Sequence, residues 1–197
     1  MPHCNKQMIS FFLTTKCNLC CQYCYNASER AMIKEQTLNP RIAEVGIDWY
    51  FSSSSSRHIR FYGPGEPTRA FEQLKRITKY AKEHPLSENR VTVEIQTNGI
   101  FRNAVRNWLL KNANIIWLSF DGMCDIQNFY RPLNPKYTDI FGGRTSANIL
   151  EDNVKWFIDK RENRNLMVGA RVTMTEKNIE RQCEMVDYFH ALGIRYI

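Results

Sequence analysis

Short apolar runs alternate along the chain with longer segments in which apolar residues recur at helical spacing. A run of about four to eight apolar or alternating residues is typical of a strand, whereas apolar residues at every third or fourth position indicate a helix with one buried face. The runs predict five strands, the first buried on both faces, within 8–13, 58–62, 91–95, 115–120 and 166–173. A sixth strand is predicted to begin at Arg195.

Five helices are predicted between and after these strands. Asn39 and Pro40 start the first, because asparagine caps a helix and proline suits the first helical position. Thr68 is expected to cap the second. The residues expected on buried faces are, helix by helix, Ile42, Val45 and Trp49; Phe71, Leu74, Ile77 and Ala81; Ala104, Trp108 and Leu109; Leu150, Val154, Phe157 and Ile158; and Ile179, Cys183, Val186 and Phe189.

Strands that alternate with helices at this spacing favour an α/β fold with a parallel sheet. Unusual residues follow four of the strands: a cysteine-rich segment, then Gly63–Pro67, then Thr97–Gly99, then Asp121–Gly122. In α/β barrels the active site lies at the C-terminal ends of the strands, so these four loops are expected to converge. Residues 1–7 are interpreted as a tail and 8–197 as one core domain, a partial TIM-like (β/α)6 barrel truncated at the start of its sixth strand.

The first of these loops contains four of the seven cysteines within eight residues. Cys17, Cys21 and Cys24 are interpreted as ligands of one iron–sulfur cluster, because three thiolates leave one iron of a cubane open for catalysis. Four cysteines could instead bind zinc, although the side chains of the neighbouring Cys20 and Cys21 tend to diverge and no second C-x-x-C occurs elsewhere. Reduced thiols without a metal are a third interpretation.

Composition and charge indicate the cellular compartment and the kind of partner, but they say little about the reaction. Lys and Arg number 27 against 20 Asp and Glu, and this excess of seven favours acidic partners, although it is scattered and forms no basic run. The apolar runs are far shorter than the roughly 20 residues that span a bilayer, and the N-terminus lacks the apolar core of a signal peptide. A cytoplasmic protein without a membrane partner is expected, and in that reducing compartment clustered cysteines usually indicate metal binding or catalysis.

From about Met8 to its C-terminus the sequence resembles the radical S-adenosylmethionine (SAM) enzymes. The C-x-x-x-C-x-x-C spacing, with Tyr23 before its last cysteine, matches the cluster motif of that family, while 65–68 and 118–122 match its Gly-Gly-Glu-Pro segment and its fourth strand. The Thr-Asn-Gly turn and Arg131 are most similar to the branch of anaerobic sulfatase-maturing enzymes and peptide maturases, which usually carries a C-terminal SPASM-type extension. Pro64 departs from the pattern, because the family usually has a glycine there.

The resemblance implies an enzyme that binds a 4Fe-4S cluster and reductively cleaves SAM to a 5′-deoxyadenosyl radical, which then modifies a peptide or protein side chain. It also implies an electron donor such as a flavodoxin or ferredoxin. The cluster ligands would be Cys17, Cys21 and Cys24, with Cys20 a spectator. The SAM contacts would be Tyr23 near the adenine, Gly65 and Glu66 at the ammonium group, Ser119 and Arg131 at the ribose or methionine carboxylate, and Gly169 at the adenosine.

Two alternative functions stay open at this stage. The same radical chemistry could act on RNA or a small metabolite, although RNA binding is disfavoured because the sequence has no basic stripe interleaved with aromatic residues. A zinc-binding module without catalysis is the alternative of a different class. Outside the motif, Cys124 is placed in a loop on the presumed active face, and Cys183 is expected in the core because cysteine is among the most buried residue types.

Overall fold

A computed structural model describes residues 7–27, 35–161 and 165–197. Its five strands form one sheet in the order β1-β2-β3-β4-β5, and every neighbouring pair is parallel. The strands are β1 (Ile9–Phe12), β2 (His58–Tyr62), β3 (Thr92–Thr97), β4 (Ile115–Ser119) and β5 (Met167–Arg171). The predicted α/β fold with a parallel sheet is therefore confirmed, and all five strand ends lie at one edge of the sheet.

Six α-helices occupy the described ranges, together with short 3₁₀ turns. The helices are α1 (Pro40–Ser53), α2 (Phe71–Glu83), α3 (Asn103–Asn112), α4 (Cys124–Tyr130), α5 (Ser146–Lys160) and α6 (Gln182–Ala191). The side chain of Asn39 accepts a hydrogen bond from the backbone N–H of Arg41 at 3.0 Å, so the predicted start of α1 is confirmed. None of the helices in the described part of the chain is long and apolar enough to cross a membrane.

The cap predicted for the second helix is wrong in one respect. Thr68 lies inside a 3₁₀ turn, Pro67–Ala70, that precedes α2, and it is the side chain of Glu66 that accepts the backbone N–H of Thr68. A carboxylate on the residue directly before the turn, two positions before Thr68, can reach this N–H as readily as a hydroxyl can. The capping function thus belongs to a residue of the glycine-rich loop.

The hydrophobic core lies between the sheet and the helices. Alternate strand residues, among them Ile59, Phe61, Ile95, Leu118 and Val168, are almost completely buried in one cluster with residues of the helices. On the opposite face of the sheet Arg60, Tyr62 and Gln96 are partly exposed, whereas Glu94 is buried. Residues of this second face line the same cavity as the loops at the C-terminal ends of the strands.

The sequence identified α1 correctly but assigned it the wrong buried face. Ile42, Val45 and Trp49 are 64%, 67% and 57% exposed, whereas Ile47 and Tyr50 of the same helix are buried. Apolar residues fit helical spacing on both sides of this segment, and the side with the larger set, which also includes Ala43 and Phe51, packs onto the sheet. The first strand was likewise predicted to be buried on both faces, but Phe12 is 54% exposed because helices cover only one face of the sheet.

Two predictions about cysteines outside the motif are also wrong. Cys183 is exposed, because α6 buries Met185 and Phe189, and Cys183 does not lie on the side of the helix that they define. Cys124 is the first residue of a helix that the sequence analysis treated as a loop, and its Sγ lies 2.8 Å from Oε1 of Glu151. Burial, and then this hydrogen bond, raise the pKa of the Cys124 thiol above its usual value.

In place of the predicted sixth strand, the final residues form one backbone hydrogen bond with β5. The carbonyl of Tyr196 accepts a hydrogen bond from the backbone N–H of Ala170 in β5, at 2.8 Å. Residues 194–197 are not assigned to a strand. The final residues therefore lie beside β5, where a further strand of the sheet would begin.

Candidate active site

The loops at the strand ends surround one cavity of about 510 Å³, within the range of about 300–1,000 Å³ typical of small-molecule sites. Its wall combines the cysteine loop after β1, the glycine-rich loop after β2 and the Thr97–Asn98 turn after β3. The ends of β4 and β5 complete the wall with Ser119 and Arg171. The convergence expected from a parallel sheet is thus observed.

Eight of the nine predicted site residues line this cavity: Cys17, Cys21, Tyr23, Cys24, Gly65, Glu66, Ser119 and Arg131. Gly169 does not line it. A Cβ at Gly169 would lie 2.5 Å from Cζ3 of Trp117 on the neighbouring strand and 3.0 Å from Cβ of Tyr196. The absence of a side chain at Gly169 therefore makes room for the indole of Trp117.

The cysteine loop is held by backbone hydrogen bonds to the segment that follows α4. Leu19 forms an isolated antiparallel bridge with Leu133, and the N–H of Cys20 donates to the carbonyl of Pro132 at 2.9 Å. This pairing leaves Cys20 exposed and outside the cavity wall, while the other three cysteines of the motif line the wall. The geometry agrees with Cys20 as a spectator.

Three thiols on the wall of one cavity match the number of protein ligands that leaves one iron of a cubane open. Thiolates around one tetrahedral zinc, with Zn–S near 2.3 Å, lie about 4 Å apart, whereas three ligands of a cubane bind three different irons. Within the described residues, no three His, Cys, Asp or Glu side chains converge on a position for a single metal ion. The three thiols on the wall, in number and in type, fit a cubane with one open iron.

Glu66 is buried, at 2% exposure, and is held by four hydrogen bonds. Its Oε1 accepts from the backbone N–H and hydroxyl of Thr68, at 3.0 and 2.7 Å, and from the hydroxyl of Thr97 at 2.7 Å. Among the residues that the structure describes, its Oε2 accepts only the N–H of Asn98, at 2.7 Å, and so has capacity for one more donor. Burial raises the pKa of the Glu66 carboxyl, and the hydrogen bonds oppose that effect.

Gly65 brings the glycine-rich loop into contact with the cysteine loop. The N–H of Glu66 donates to the carbonyl of Lys16 at 2.7 Å. A Cβ at Gly65 would lie 2.4 Å from the carbonyl oxygen of Thr14 and 2.5 Å from that of Lys16. Only glycine permits this approach of two backbones, which places Glu66 beside the cysteines.

Gly65→Ala is therefore expected to lower the free energy of unfolding by about 1–3 kcal/mol, the usual cost of overpacking. It should also reduce the iron bound per chain, because the cysteine loop must shift. Urea unfolding and iron analysis measure the two effects. Gly46→Ala in α1 is the matched control, since its Cβ would make ordinary contacts, the nearest 3.4 Å from Ile9. Equal stability and iron content in Gly65→Ala and wild type would contradict the prediction.

Asp121 connects the cysteine loop to the ends of β4 and β5. It is completely buried, and its Oδ2 accepts from Nε of Arg131 at 2.8 Å and from the hydroxyl of Tyr23. Its Oδ1 accepts from Nη2 of Arg131 at 3.1 Å and from the N–H of Thr173 at 3.0 Å. Burial raises the pKa of Tyr23, so its hydroxyl remains the donor.

Arg131 is buried but keeps its charge. Burial alone would lower the pKa of this guanidinium, but the adjacent Asp121 carboxylate more than offsets it and the pKa is raised. The guanidinium lies 5.1 Å from the centre of the Tyr23 ring, on the wall of the cavity. The guanidinium thus lies on the cavity wall with its Nε and Nη2 already paired with Asp121.

Several residues of the wall were not predicted from the sequence, among them Arg60, Tyr62 and Gln96. These residues lie on the strand face opposite the buried core residues, so the polar positions that alternate with Ile59 and Phe61 were a usable signal. Arg171 ends β5 as Ser119 ends β4, and the two are register partners. The alternation identifies the face, but not which of its residues reach the cavity.

Comparison with known proteins places the chain in a family. The family described as 4Fe-4S single cluster domain matches residues 7–138, about two thirds of the sequence. The chain therefore belongs to the 4Fe-4S single cluster domain family. The matched range contains all three predicted cluster ligands, Glu66, Ser119 and Arg131.

The similarity to maturing enzymes expected from the motifs is confirmed. A serine-type anaerobic sulfatase-maturating enzyme of Bacteroides thetaiotaomicron is 23% identical over 193 residues, covering 92% of this chain and 42% of that enzyme. Native anSMEcpe with bound AdoMet and Cp18Cys peptide superposes with a TM-score of 0.75 at 18% identity, covering 96% of this chain and 49% of that chain. Streptococcus suis SuiB bound to precursor peptide SuiA superposes with a TM-score of 0.69 at 17% identity. This match covers 95% of this chain and 37% of the SuiB chain. The chain thus spans half or less of the length of these relatives.

Proposed function

We propose that the chain is the catalytic core of a radical SAM enzyme that modifies a peptide or protein side chain. The observation that carries this proposal is the shared cavity: three cysteines of the C-x-x-x-C-x-x-C motif line the same wall as Glu66 and Arg131. A cluster held by Cys17, Cys21 and Cys24 would supply the electron that cleaves SAM. The protein residues bind and orient the cofactor and exclude water.

The buried charges of the cavity suit the amino-acid part of SAM. The Oε2 of Glu66, which accepts one hydrogen bond from the protein, accepts another from the SAM ammonium group, together with backbone groups of Gly65. Arg131 and Ser119, on the wall beside Tyr23, bind the methionine carboxylate or the ribose. The Tyr23 ring packs near the adenine. Gly169 lies outside the wall and acts only by making room for Trp117.

Support for a peptide substrate comes from the relatives. Two of the superposed structures have a bound peptide: Cp18Cys in anSMEcpe and the precursor SuiA in SuiB. In this chain the partly exposed face of the sheet leads into the cavity through Arg60, Gln96 and Arg171, and offers donors and acceptors to a peptide. We further propose a cytoplasmic location and a flavodoxin or ferredoxin as electron donor.

Anaerobic reconstitution with iron and sulfide tests the proposal. The chain is expected to take up about four irons and four sulfides and, with a reductant and SAM, to form 5′-deoxyadenosine. Chromatography of the nucleoside products and metal analysis are the measurements. Stoichiometric zinc without iron, or a loaded cluster that forms no 5′-deoxyadenosine, would contradict it.

A further inference from the structure

Asn98 contacts two parts of the site at once and has no function in the proposal above. Its side-chain nitrogen Nδ2 lies 3.8 Å from Sγ of Cys17, within hydrogen-bonding range for sulfur, and its backbone N–H donates to Oε2 of Glu66 at 2.7 Å. The residue is buried, at 6% exposure. It joins a predicted cluster ligand to the carboxylate assigned to the SAM ammonium group.

The orientation of the Asn98 amide is determined by its neighbours. Its Oδ1 accepts the backbone N–H of Ile100 at 2.9 Å, a group that can only donate. Its Nδ2 donates to Oδ1 of Asn18 at 2.7 Å, and Asn18 is itself oriented by donating to the carbonyl of Ile100 at 2.7 Å. If the Asn98 amide were flipped, its NH₂ group would face the backbone N–H of Ile100, and both groups are donors. The NH₂ group of Asn98 must therefore face Cys17.

We propose that Asn98 raises the reduction potential of the cluster through its hydrogen bond to Cys17. The inference rests on the proposed function, because it needs Cys17 to be a ligand. Reduction adds one electron to the cluster and increases the negative charge on its sulfur ligands. A donor aimed at a ligand sulfur therefore stabilises the reduced state more than the oxidised state.

The contact with Glu66 extends the argument to the cofactor. One residue contacts both the Glu66 carboxylate and Cys17, so a ligand ammonium bound to Glu66 would be connected to Cys17 through three hydrogen bonds, two of them made by Asn98. Asn98 is thus a positioning residue, which acts through Cys17 and Glu66.

Asn98→Leu, close to asparagine in size but without the donor, tests the proposal in the reconstituted chain. Redox titration followed by electron paramagnetic resonance should show the equilibrium constant for one-electron reduction about tenfold smaller than in wild type, a shift of about 59 mV to lower potential. Asn153→Leu is the matched control. Asn153 is also buried and donates to the carbonyl of Gly99 in the same turn at 2.8 Å, and its donors are directed at backbone carbonyls.

A wild-type measurement covers the case in which Asn98→Leu fails to hold a cluster. Asparagine labelled with ¹⁵N in the side chain only should give a ¹⁵N coupling in pulsed resonance of the reduced wild-type cluster. Three results would overturn the inference in a chain that still binds the cluster and cleaves SAM. They are an unchanged reduction potential in Asn98→Leu, an equal shift of the potential in Asn153→Leu, and the absence of ¹⁵N coupling in wild type. A wild-type chain that binds no iron and sulfide would instead contradict the proposed function, and this inference with it.

Discussion

Replacing Cys17, Cys21 or Cys24 with alanine is expected to abolish cluster binding and all 5′-deoxyadenosine formation. The three thiols line one cavity. A cubane held by three protein ligands has one iron without a protein ligand, and loss of one cysteine would leave two such irons. Iron and sulfide per chain after anaerobic reconstitution should fall to near zero in each variant. The visible absorption of the cluster should disappear with them.

Cys20→Ala is the control that separates the two metal interpretations. Cys20 is exposed and outside the cavity wall, and its loop is held through its backbone N–H, which alanine keeps. Its iron, sulfide and product yields should therefore match those of wild type. If Cys20→Ala lost its metal as completely as the other three variants, four thiolates would be ligands, and the zinc interpretation would be favoured.

The part of the site that was predictable from the sequence is local in the chain. Cys17, Cys21, Tyr23 and Cys24 occur within one loop, and Glu66 stands in a short glycine- and proline-rich segment after a strand. Such segments can be recognised from spacing, and the rule for parallel strands places them at one edge of the sheet. Their convergence on one cavity therefore needed no knowledge of side-chain contacts.

The network that holds the site was not predictable in this way. Asp121 meets Tyr23 across 98 positions of sequence, and Asn98 meets Cys17 across 81. Which acceptor a donor finds depends on the final packing of separate loops, and the spacing of residues carries no record of it. Asp121 could be placed at a strand end, but its contacts with three separate segments could not be inferred.

The errors in the fold have a related cause. The residues Ile42, Val45 and Trp49 fit a helical stripe as well as the buried set of α1 does, and the choice between the two sides is made by the sheet and by α2. In α6 the same ambiguity put Cys183 in the core, whereas Met185 and Phe189 occupy it. Periodicity predicted five of the six α-helices in the described ranges, missing the short α4, but the orientation of a helix follows from tertiary packing.

Asp121→Asn is expected to lower the free energy of unfolding by about 3–5 kcal/mol, the usual cost of breaking a buried ion pair from one side. Arg131 is 9% exposed and would lose its only carboxylate partner among the described residues. The introduced NH₂ group would also face groups that can only donate, such as the N–H of Thr173. Chemical denaturation measures the loss, and cluster content should fall because Tyr23 lies between the predicted ligands Cys21 and Cys24.

Two further variants distinguish the lost charge from the lost hydrogen bonds. Tyr23→Phe removes one donor to Oδ2 of Asp121 but keeps the ion pair, so its cost should be smaller, about 1.5–3 kcal/mol for a hydrogen bond to a charged group. The double variant Asp121→Asn with Arg131→Gln removes both charges and should be more stable than Asp121→Asn alone, because no unpaired guanidinium remains buried. If the double variant were the less stable of the two, the hydrogen bonds rather than the charge of Asp121 would hold these loops together.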